Sequence, residues 1–90
     1  MGIRGTISGV KEQKIRDPLN TAVAEILNEA YINKGSRLSW LVKESGVARS
    51  TVVRYLDGTR DIRVAELRKI ADVLGLTMSQ ILIKAERSIE

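Results

Sequence analysis

The sequence predicts an all-α fold, a compact five-helix bundle behind a flexible basic N-terminal leader. Three observations predict it. Apolar residues recur at three- and four-residue spacing in five segments, the period of helices that bury one stripe. Gly35, Gly46, Gly58 and Gly75 close four of those segments, where helices commonly end. With no Phe, one Trp and two Tyr, the core is aliphatic, as in small helical bundles.

Ninety residues make one domain, large enough for a small core but not for two. The absence of Cys excludes disulfides and thiolate metal sites, and the absence of His removes the commonest general base and metal ligand. Scattered carboxylates such as Glu25, Glu29, Asp57, Asp61 and Asp72 form no recognisable pair, so no enzyme, metal or cofactor is expected. No apolar run approaches membrane-spanning length and no signal-peptide pattern opens the chain, so the expected compartment is the cytoplasm.

Residues 1–16 form the leader, with three glycines among the first nine and no sustained period. Arg4, Lys11, Lys14 and Arg16 against Glu12 give it three of the chain's four net positive charges. A basic arm ahead of a balanced domain suits nucleic acid, where neutralising phosphates gives sequence-independent affinity; a solvated leader is the plainer reading. The folded unit is expected at 17–90. Asp17 is a suitable N-cap and Pro18 a suitable first helical residue; Leu19, Val23, Ile26, Leu27 and Ala30 follow at helical spacing.

The second helix opens at Ser36 or Arg37 and turns Leu38, Leu41 and Val42 inward. Trp40 has two readings, peripheral core or a contact to a phosphate or a second subunit. Gly46 ends this helix with a positive φ expected, and Ala48 opens the third without a capping side chain. On the third helix Val47, Val52 and Tyr55 serve the core. Arg49, Ser50, Val53 and Arg54 share the other face, with two guanidinium groups and a hydroxyl. Such a face suits base edges in a DNA major groove. Val64, Leu67, Ile70, Ala71, Val73 and Leu74 form the stripe of the fourth helix. Thr77 to Gln80 is a capping box for the fifth, in which Met78, Ile81, Leu82 and Ala85 can pack inward.

The stretch LSWLVKESGVARSTVVRYLD resembles the helix-turn-helix of the Cro and lambda-repressor-like (Xre) family. Leu41, Gly46, Val47, Val52 and Tyr55 meet its pattern; Val42 meets it loosely, and Ala48 departs from its Ser or Thr cap. The tail YLDGTRDIRVAELRKIADVLGLTMSQIL repeats the family's Gly-x-Arg loop, its Leu-Gly helix end and its capped fifth helix. The resemblance covers roughly residues 19–85.

It implies a sequence-specific regulator of transcription on double-stranded DNA, a repressor of phage or prophage immunity type, in a bacterial host's nucleoid. Arg49, Ser50, Val53 and Arg54 would read bases; Arg37, Thr59, Arg60 and Arg63 would hold phosphates. Outside the resemblance, the basic leader residues Arg4, Lys11, Lys14 and Arg16 are candidates for a DNA arm on their charge. Family members often pair through the fifth helix, where Ile83 and Ile89 lie partly outside the core stripe; a fraying C-terminus is the alternative. A homodimer on DNA is therefore expected. A second function on the same fold is an antitoxin or interaction module that uses the leader or fifth helix to bind a toxin or regulatory protein.

Overall fold

The computed structural model describes residues 13–90. Among them run α1 (Leu19–Lys34), α2 (Leu38–Ser45), α3 (Arg49–Asp57), α4 (Val64–Leu74) and α5 (Met78–Ser88). The five expected helices are present in the expected order. α1 is the hub, packing against α3, α4 and α5, while α2 packs on α3 and α4. Leu27, Leu41, Val52, Tyr55, Leu67, Ile70 and Ile81 meet in the centre with no accessible surface. Each contributes about 1.5–3 kcal/mol of apolar burial.

α1 is rotated from the expected stripe. Val23 and Leu27 are buried as anticipated, but beside Asn20, Ala22 and Ala24, whereas Leu19, Ile26 and Ala30 are half-buried. The cause is that three helices crowd α1, so its small residues take the closest contacts. A Cβ at Gly58 would lie 3.5 Å from that of Ala24. Pro18 precedes the helix and is not its first residue. Asp17 still caps, accepting the Thr21 N–H at 2.8 Å and its hydroxyl at 2.6 Å.

Residues 13–16, expected within the leader, belong to the packed body. The Ile15 N–H donates to the Ile62 carbonyl at 2.8 Å, the Val64 N–H donates to the Gln13 carbonyl at 3.0 Å, and Lys14 and Arg63 form an antiparallel bridge. Ile15 and Ile62 are both buried. A single apolar side chain between two cations anchors the segment to the residues that precede α4. The leader up to residue 12, with Arg4 and Lys11, lies outside the described residues.

At the α2–α3 turn, Gly46 takes φ 71° and ψ 13°, as expected, and its N–H donates to Val42 at 3.0 Å. Buried Ser45 completes the turn, its hydroxyl oxygen accepting the N–H of buried Val47 at 3.3 Å. The capping box of α5 forms in both directions. The Gln80 N–H donates to the Thr77 hydroxyl at 3.1 Å and the Thr77 N–H to the Gln80 side chain at 3.0 Å. Among the described residues no helix is long and apolar enough to cross a membrane.

Candidate nucleic-acid interface

α3 is nine residues long and splits cleanly by environment. Val52 and Tyr55 have no accessible surface; Arg49, Ser50 and Arg54 are exposed and Val53 is half-exposed. At 100° per residue the latter four span an arc of roughly 140°, with Arg49 and Arg54 about 7.5 Å apart along the axis. The inward pair sets the rotation of the helix, because turning either arginine inward would pull Val52 or Tyr55 out of the core. The structure thus brings all four proposed readers onto one outward face.

The starts of the helices differ in charge. α2 and α3 begin at Arg37 and Ala48 with no capping side chain and no acidic residue in the first turn. α1 has Asp17, α4 has Glu66 and α5 has Thr77. The positive poles of the two helix-turn-helix elements are therefore uncompensated, which suits approach of phosphate.

The loop after α3 carries the other proposed phosphate contacts. Gly58 takes φ 75°, and the Thr59 N–H donates to the Arg54 carbonyl at 3.0 Å, closing α3 and tying the loop to the reading helix. Thr59 and Arg60 are exposed, as is Arg37 at the start of α2. Arg63 is placed differently. It is half-buried, its Nε has no partner among the described residues, and its backbone is paired with Lys14. At the start of α4 two backbone N–H groups are already engaged. The Arg63 N–H donates to the Tyr55 hydroxyl at 3.4 Å and the Val64 N–H to Gln13. Of the basic leader residues that are described, Lys14 and Arg16 are exposed beside this loop's bridge.

Tyr55 links the reading helix to α4. Its hydroxyl donates to Glu66 Oε1, and burial, followed by that bond, pushes the phenol above its ordinary value of 10.0. Asn20 links α1 to the loop, its amide donating to the Arg60 carbonyl at 3.1 Å and accepting the Ile62 N–H at 2.8 Å.

Trp40 is half-buried against the core, with Lys34 Nζ 5.7 Å from its ring centroid, which matches the peripheral reading. Ile83 and Ile89 are 50 % and 43 % exposed; Ile32 of α1, which the sequence reading did not single out, is 64 % exposed. Among the described residues no group of three or more His, Cys, Asp or Glu could hold a metal ion.

Residues 41–81 match the family model described as helix-turn-helix. No curated protein and no solved structure matches the chain. The five-helix fold and this match define a DNA-binding helix-turn-helix regulator. Over those 41 residues, a little under half of the chain, it is similar to the helix-turn-helix of the Xre, lambda-repressor-like type.

Proposed function

We propose that the protein is a sequence-specific transcriptional repressor that lays α3 in the major groove of double-stranded DNA. The observation that carries this is the outward face of α3, with Arg49, Ser50, Val53 and Arg54 set by the burial of Val52 and Tyr55 behind them. Arginine presents a planar fork matched to the O6 and N7 acceptors of guanine, serine accepts several base edges, and valine meets a thymine methyl. Arg37, Thr59 and Arg60 hold phosphates on either side, supported by the uncompensated starts of α2 and α3. Arg63 contributes less than these, because its backbone and Nε are drawn inward. A repressor of this kind acts by occupying its site.

The repressor binds as a homodimer, with two half-sites about one helical turn apart. The exposed Ile83, midway along α5, and Ile89, just past its end, support that surface. Selection of bound duplexes from a random pool, at stated salt, tests the whole reading. The expected result is a shared motif containing guanine, repeated as an inverted pair; a pool with no enriched motif contradicts it.

A further inference from the structure

We propose that Asn20 is a positioning residue for DNA binding, holding the 59–63 loop so that Arg60 reaches a phosphate already ordered. The proposal rests on the reading of Arg60 as a phosphate contact. Asn20 lies in the first turn of α1 and is 1 % exposed. A buried amide is costly unless hydrogen-bonded, and both ends of this one bond the backbone of a loop forty residues away. The bonds fall on either side of Asp61, on the Arg60 carbonyl and on the Ile62 N–H.

Three further restraints reach the same loop from other elements. The Thr59 N–H donates to Arg54 of α3, the Ile62 carbonyl accepts from Ile15, and the Arg63 N–H donates to the Tyr55 hydroxyl. Among the described residues, Asn20 is the side chain that bonds both residues flanking Asp61. The result is a fixed backbone under an exposed Arg60 side chain. A surface loop of this kind is ordinarily mobile, and ordering it on contact with DNA reduces affinity. Here the ordering accompanies folding.

A double-mutant cycle on the full chain tests this, read as affinity for a short duplex of mixed sequence between about 50 and 200 mM salt. Asn20→Ala is expected to weaken binding roughly 2- to 12-fold, the range for ordering one loop side chain, and to do so equally on all sequences. In an Arg60→Ala background the same change is expected to have a clearly smaller effect, because the arginine it positions is gone and only Thr59 is left on that loop. Equal losses from Asn20→Ala in both backgrounds would overturn the proposal while leaving the phosphate reading intact. An Arg60→Ala variant with the affinity and salt dependence of the parent would overturn both. Backbone relaxation of the parent protein decides the matter if Asn20→Ala does not fold. Order parameters near 0.85 at residues 60–62 are expected, and values below about 0.6 would overturn the proposal.

Discussion

The hydroxyl of Tyr55, on the buried side of α3, donates to Glu66 Oε1 in the first turn of α4 and accepts the Arg63 N–H. One side chain thereby fixes the rotation of the reading helix and the start of the next. Tyr55→Phe keeps the packing and removes both bonds, so it is expected to lower stability by about 1–2 kcal/mol. Urea unfolding with an unchanged denaturant slope checks this. A variant as stable as the parent would show that the bond contributes nothing net.

The same phenol predicts a response to alkali. Burial and the Glu66 carboxylate hold its pKa above 10.0, so the folded state retains the proton more tightly than the unfolded chain. The stabilisation is complete below about pH 10 and declines as pH rises through the higher folded value. Stability of the parent should therefore fall more steeply above pH 10 than that of Tyr55→Phe. Parallel profiles would contradict the assignment.

At the other end of the scale, the side-chain and then the backbone hydrogen bond from Thr21 hold the Asp17 carboxyl below its ordinary 3.8. A depressed carboxylate stabilises the fold above its unfolded pKa and loses that effect as pH falls through the folded one. Acid titration by NMR should place the Asp17 carboxyl below about pH 3.8, and Thr21→Val should raise it. A carboxyl that titrates identically in both proteins would remove this cap.

The helix-turn-helix corner gives two changes of opposite sign. Gly46→Ala meets no atom within 4 Å, so its cost is that of φ 71° alone, about 1–2 kcal/mol. Ala48→Ser places a hydroxyl at an uncapped helix start with φ −57° and ψ 142°, and is expected to raise stability by about 0.5–1 kcal/mol. Thermal melts of the two variants, shifted down and up respectively, check the geometry of the turn.

Helix order, the glycine stops and the outward face of α3 were legible in the sequence because each is set locally, by period or by a residue's own φ preference. The links between elements were harder to read. Asn20 does leave a trace, since it shares the 20, 23, 24, 27 stripe of α1 with Val23, Ala24 and Leu27, and a polar residue there signals a buried partner. Its partners at 60 and 62 have no local signature. Ile15 was hidden by the charges of Lys14 and Arg16, and Ile62 by lying in a loop that reads as polar. The backbone pairing of Arg63 with Lys14 is likewise set by tertiary contact, which leaves no mark in the local sequence.

The central claim, that one face of α3 discriminates between bases, is tested most directly by comparing Arg54→Ala with Arg60→Ala on the selected site and on random duplex. Arg54→Ala is expected to lose about 1–3 kcal/mol on the selected site and to relax the preference at one base pair. Arg60→Ala should weaken both duplexes alike and lower the salt slope by about one unit. If both variants lose the same factor on both duplexes, the outward face of α3 is not what reads the DNA.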